Sequence, residues 1–263
     1  MMTAPPLSAM VDPDNGLPAL LLIHGMLSSS LHWQPNTALS QHFRLVRVDL
    51  PGHGASAPPR TPEEAQPGAI VAQFESLRET LGIAAWHVCG ASFGAGLALR
   101  YAIDHPAACQ RISFTNGSAA LRDSWSDDEL QAQIRLAAHI RDKGDAAVLA
   151  MPYHPAHARR FPPEFRAALV AEAARITPET VALFQQVALP CLTQRHRLGA
   201  LRRPCLLING LYEHRFQPLR NWLSEAHPAI GIVDLPGGHS VNIECPAAFD
   251  AALTDFLHGL KPE

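Results

Sequence analysis

The residues best suited to chemistry lie in the pentapeptide Gly90-Ala91-Ser92-Phe93-Gly94. It follows an apolar run, Trp86 to Cys89, and precedes Ala95-Gly96-Leu97-Ala98-Leu99-Arg100-Tyr101-Ala102, which reads as a helix of small and apolar residues. Strand, sharp turn and helix in that order put a serine at the apex of a bend. Its hydroxyl can meet a base there, and the helix N-terminus aims amide dipoles at a developing oxyanion. So tight a bend strains the serine backbone, and glycines two before and two after remove side chains that would collide with strand and helix. The chemistry predicted is attack by Ser92 on an acyl carbonyl, which needs a general base and a group that orients it.

Fourteen histidines compete for the role of base. His32, His42, His105, His139, His196 and His258 read as surface or capping residues in loops or on polar helix faces. His154 and His157 form an H-x-x-H beside prolines, but no H-E-x-x-H helix or carboxylate and histidine cluster accompanies them. They read as loop residues, and no metal or cofactor is expected.

These groups need a scaffold. Apolar, strand-like runs at Ala19 to Ile23, Leu45 to Val48, Trp86 to Cys89, Ile112 to Phe114, Cys205 to Ile208 and Ile230 to Leu235 alternate with helical patterns such as Ile70 to Leu81 and Ala247 to Leu257. Such alternation predicts an α/β fold, a mostly parallel sheet of six to seven strands with helices on both faces. Only Leu7 to Val11 precedes Ala19 as a further strand candidate. The stretch from Ala119 to about residue 200 breaks the rhythm with helix-like segments alone. It contains a capping-box pattern at Ser126 and Glu129, and Thr177-Pro178 as N-cap and first helical residue of a helix through Leu189. The expected organisation is a core of residues 1–118 and 201–263 interrupted by a helical cap, residues 119–200.

Ile23-His24-Gly25-Met26 after the first strong strand, Asp49-Leu50-Pro51-Gly52-His53-Gly54-Ala55-Ser56 after the next, the Ser92 turn, and Pro236-Gly237-Gly238-His239 ahead of Glu244-Cys245-Pro246 together resemble the α/β-hydrolase fold superfamily over nearly the whole chain. The resemblance implies that His239 is the base, and that the amides of Met26 and Phe93 bind the oxyanion. It implies an acid in Asn209-Gly210-Leu211-Tyr212-Glu213-His214, where the family usually carries Asp and this chain offers Glu213. Some relatives place the acid after the strand Ile112 to Phe114; that position reads Thr115-Asn116-Gly117 here, with Asp123 the nearest carboxylate. The Asp49 to Ser56 loop reads as a tight turn whose Asp49 and His53 bond the backbone.

The resemblance implies a serine-dependent hydrolase of a small carboxylic ester, thioester or lactone working through an acyl-enzyme. Alternatives are an acyltransferase of the same fold that passes a (hydroxy)acyl group to an alcohol or thiol, and a non-catalytic ligand-binding member. Cap residues Trp125, Met151, Tyr153, His154, Phe161, Phe165 and Phe184 divide between packing and roofing the serine. A formal charge of −3 with scattered Lys and Arg gives no footprint for nucleic acid or an anionic membrane, so the expected partner is a small-molecule acyl substrate. Five cysteines without paired spacing and no visible signal peptide lead to the expectation of a cytoplasmic protein with free thiols.

Overall fold

In a computed structural model, residues 6–260 are described; the ends of the two core ranges, residues 1–5 and 261–263, lie outside them. Seven strands form one sheet, β1 (Ala9–Val11), β2 (Ala19–Ile23), β3 (Arg44–Val48), β4 (Trp86–Gly90), β5 (Cys109–Phe114), β6 (Cys205–Gly210) and β7 (Gly231–Leu235), in the order β1-β3-β2-β4-β5-β6-β7. Only β1 runs antiparallel to its neighbour β3. It is the sole described strand before Ala19, the short extra strand that Leu7 to Val11 allowed for.

Strand alternation sorts the apolar side chains onto two faces. Leu21, Ile23, Val46, Val88 and Leu207 join the core under α1 (Pro67–Thr80) and α2 (Phe93–Asp104). Leu20, Leu22, Leu45, Leu206 and Ile208 meet a 3-10 helical segment, Ser30–Gln41, and the C-terminal helix Pro246–Leu257. Both faces are therefore buried, as the continuous apolar runs required. The strand order reverses between β2 and β4, the place where an open parallel sheet leaves a crevice beyond its strand ends.

Between β5 and β6 the described chain contains helices α3 (Asp127–Lys143), α4 (Asp145–Leu149), α5 (Pro163–Ala173) and α6 (Pro178–Leu183) and no strand. Ser126 and Glu129 cap α3 reciprocally, and Thr177 Oγ1 accepts the Thr180 amide at the start of α6. The single helix expected from Thr177 through Leu189 is interrupted. After Leu183 it widens into a π-turn, Phe184–Ala188, and closes as a tight turn, Leu189–Cys191. Pro190 has no N–H for an i−4 carbonyl and its ring excludes that oxygen, so the helix cannot continue in α register.

Candidate active site

Ser92 caps α2 at φ 54° and ψ −112°, in a region that residues with a Cβ rarely adopt. Its neighbours show why the turn demands glycines. A Cβ on Gly90 would lie 2.2 Å from the Gly94 carbonyl oxygen, and one on Gly94 would lie 2.4 Å from that of Ile23. Close approach of backbone to backbone fixes the serine in this strained state, at a cost of about 1–3 kcal/mol that the surrounding fold sustains.

The loop after β2 lies against the serine, a Cβ on Gly25 falling 3.0 Å from Ser92 Cβ and 3.5 Å from its Oγ. His24 holds this loop. The Leu50 amide donates to its Nε2 (3.0 Å), so the ring proton sits on Nδ1 and is donated to the Gly25 carbonyl (2.6 Å). Burial, and then the adjacent His53, keep His24 well below the ordinary histidine pKa and therefore neutral. The Met26 and Phe93 amides donate none of the turn, loop and cap hydrogen bonds among the described residues.

His239 and Glu213 meet Ser92 from across the chain. His239 Nε2 lies 2.8 Å from Ser92 Oγ, and Nδ1 lies 2.9 Å from Glu213 Oε1. A carboxylate only accepts, so Nδ1 carries the proton and Nε2 is free to accept from the serine hydroxyl. Desolvation lowers the pKa of His239, but the hydrogen bond and charge of Glu213, with the charge of Glu244, outweigh it and raise the pKa. Glu213 Oε2 has no hydrogen-bond partner among the described residues, so the carboxylate's charge is not spent on other donors.

Backbone contacts bind the two loops together. The Tyr212 amide donates to the Gly237 carbonyl (2.8 Å), and a Cβ on Gly210 would lie 1.9 Å from the Gly238 oxygen. Gln217, the first residue of α7 (Gln217–Ala226), donates from Nε2 to the carbonyls of Gly210 and Glu213, both at 3.1 Å. Asn116, wholly buried at the end of β5, grips Gly210 through both its amide (2.9 Å) and its carbonyl (3.1 Å). Asn116 thus braces the Glu213 loop from the position where some relatives carry the acid. Asp123 lies elsewhere, 66 % exposed and paired with Arg195 and His196.

The Asp49 to Ser56 loop is a turn, as its residues suggested. Asp49 Oδ1 accepts the Ser30 amide, its Oδ2 accepts the Ala55 amide, and His53 Nδ1 lies 3.0 Å from the Pro51 carbonyl. His154 accepts the Ala156 amide and His157 bonds the Leu149 carbonyl, both roles of loop residues. His32 departs from the surface role expected for it. It is buried, and its Nε2 lies 3.2 Å from Asn242 Oδ1. Asn242 is bonded in turn to Asn36, and Asn36 to Asp250. This buried chain underlies α8 (Val241–Glu244), immediately after His239, and no local pattern announces it because its members are remote in sequence. From the helical insertion, Phe184 sets its ring 5.4 Å from that of Phe93 and 5.3 Å from that of His53.

The chain matches a family model described as alpha/beta hydrolase fold over residues 18–246, and it belongs to that family. It is 27% identical over 251 residues to the 2-succinyl-6-hydroxy-2,4-cyclohexadiene-1-carboxylate synthase of Serratia proteamaculans, covering 91% of this chain and 93% of that one. A shorter likeness, 44% over 64 residues, relates 24% of this chain to 21% of a proline iminopeptidase of Neisseria meningitidis. Among solved structures it is similar to the enol-lactonase of Burkholderia xenovorans (TM-score 0.79, 24% identity, 96% of each chain). It is also similar to MenH of S. aureus (TM-score 0.82, 18% identity, 98% of each chain).

Proposed function

We propose that the protein is a serine hydrolase acting on a small carboxylic ester, thioester or lactone. The observation that carries this reading is the unbroken hydrogen-bonded line from Ser92 Oγ through His239 to Glu213, 2.8 and 2.9 Å long, with the serine held at a positive φ. On this reading His239 takes the Ser92 proton as Oγ attacks the acyl carbon. The Met26 and Phe93 amides receive the oxyanion, and Glu213 stabilises the imidazolium without itself taking the proton. His239 then protonates the leaving group, and water completes the cycle by the reverse route. Residues 119–200 act as a cap over the strand ends, with the Phe184 ring packed on that of Phe93, excluding water and giving the cleft its apolar walls.

Labelling of Ser92 by a fluorophosphonate, found by peptide mass and absent in Ser92→Ala, tests the nucleophile. A screen of esters, thioesters and lactones of graded chain length then finds the substrate class. Turnover with and without an acceptor alcohol separates hydrolysis from acyl transfer. An unlabelled protein that turns over none of these compounds would end the hydrolase reading.

The likeness over most of both chains to a protein named as a synthase favours a second reading, in which the same Ser92 and His239 serve a reaction that forms no acyl-enzyme. A pre-steady-state burst of the first product with an activated ester supports the hydrolase over this alternative.

A further inference from the structure

Glu213 is not the only carboxylate that serves His239. Glu244 closes α8, its side chain only 10% exposed, and its Oε2 accepts the Gly238 amide at 2.8 Å. That amide belongs to the residue next to His239, so the contact fixes the loop that carries the imidazole. Above it lies Arg160, from the segment between α4 and α5. Its Nη1 stands 3.7 Å from Glu244 Oε2, and its guanidinium lies 5.0 Å from the ring centre of Tyr212, the neighbour of Glu213. A Cβ on Gly238 would come within 2.6 Å of Arg160 Nη1. At 3.7 Å the Arg160 contact with Glu244 is longer than a hydrogen bond, and the Arg160 side chain is 54% exposed. It is a cation resting on the two loops that hold His239 and Glu213, without the short hydrogen bonds that would mark a structural clamp.

Taking His239 as the base of the proposed hydrolase, we infer that Glu244 is a positioning residue that holds the His239 loop through Gly238 and acts on the imidazolium by its charge, with Arg160 opposing that charge. The charged and titratable groups that act on His239 are Glu213 from the β6 loop, Glu244 from α8 and His32 from the segment Ser30–Gln41, and Arg160 from the helical insertion stands over Glu244 and Gly238 rather than against the imidazole itself. Burial brings His32 down to about 4, so near neutral pH it contributes no charge. The balance therefore rests on two carboxylates against one guanidinium. Glu244 adds to the stabilisation of protonated His239, in the same direction as Glu213. Displacement of the segment that carries Arg160 removes the opposing charge and makes His239 more basic, which ties the cap's placement to the protonation of the base.

Charge and anchoring separate cleanly, because glutamine at 244 still accepts the Gly238 amide but carries no charge. The test is a titration of His239 by the 13Cε1 shift of labelled histidine in the full chain, its resonance identified by its loss in His239→Gln. Glu244→Gln is expected to lower the His239 pKa by about half a unit to one unit, and Arg160→Ala to raise it by a few tenths. The acid limb of kcat/KM moves the same way in each variant. Arg160 is exposed, so Arg160→Ala folds whatever the fate of Glu244→Gln. A pKa unmoved in Glu244→Gln overturns the electrostatic role of Glu244, and one that stays or falls in Arg160→Ala overturns the opposition. The titration needs no substrate, so failure of fluorophosphonate labelling sinks the hydrolase reading and leaves this measurement standing.

Discussion

Replacing Glu213 by glutamine keeps the volume that meets His239 and removes one negative charge 2.9 Å from Nδ1. With the two charge centres about 4 Å apart, the lost attraction is about 1 kcal/mol in bulk water and about 4 kcal/mol at the screening typical of a protein surface. The Glu213 side chain is 21% exposed and that of His239 41%. Solvent reaches the pair, and the lower half of that range, about 1–2 kcal/mol, applies. This corresponds to about one pKa unit in His239 and about tenfold in rate through the imidazolium alone. A second loss comes from the ring's tautomer, because glutamine can present NH2 to Nδ1. The proton then moves to Nε2, where the Ser92 hydroxyl needs an acceptor, and together the two effects cost about a thousandfold in kcat at neutral pH. The assay is kcat/KM against pH on an ester that the wild type turns over. Because the folded protein raises the pKa of His239 and the base works in its neutral form, wild-type activity falls as pH drops through a value above 6.5. In Glu213→Gln that limb moves about one unit lower. Turnover within tenfold of wild type, or an acid limb that stays in place, refutes the assignment of Glu213.

Ser92→Gly removes the strain of a positive φ and is expected to abolish turnover while stabilising the fold by about 1 kcal/mol in urea unfolding; a lower midpoint contradicts the strain argument. In Gly94→Ala the new Cβ, 2.4 Å from the Ile23 oxygen, forces the start of α2 away from β2, with an expected loss of about 1–3 kcal/mol of stability and about a hundredfold in turnover. His32 and His53, brought to about 4 by burial, stay neutral when folded and take up protons on unfolding between pH 6.5 and 4, so stability is present above 6.5 and falls as the pH drops. Each contributes on the order of 3 kcal/mol to that fall, and urea midpoints across pH 7 to 5 should flatten in His53→Gln; equal slopes in the two proteins refute this. Asp123→Asn removes a carboxylate that pairs with Arg195 and His196 rather than with His239, and is expected to leave kcat within twofold.

The serine turn was legible because its code is local. Gly90 and Gly94 are required by backbone atoms a few residues away or on the adjoining strand, and a pentapeptide suffices to announce them. Strands buried on both faces were legible as continuous apolar runs, and α3 by its capping box. What was hidden depends on pairs brought together only by folding. His32 and Asn242 are 210 residues apart and Asn36 and Asp250 are 214 apart, so nothing beside either partner distinguishes a buried network from solvent-facing polar residues. Asn116 shows the same limit from another side. Its position after β5 was legible as an alternative place for an acid, but its bidentate grip on Gly210 depends on a neighbouring strand 94 residues later. The π-turn at Phe184 was concealed because Pro190, which causes it, also sits comfortably at the start of a new turn.

Met26 and Leu27, the residues after Gly25, send their side chains into the same apolar cluster as Ala137, Ile140, Met151 and Val181 of the helical insertion. Leu27 does so at a φ of 56°, one of two non-glycine residues in the described chain with positive φ, the other being Ser92. The stretch proposed to offer an amide to the reacting oxygen thus also packs against the helical insertion. Exchanging the insertion for another would change the packing under residues 26 and 27, so a change of insertion is expected to disturb the proposed oxyanion amide. A chimera bearing a foreign insertion should recover turnover only when the donor's pair at 26 and 27 is transplanted as well.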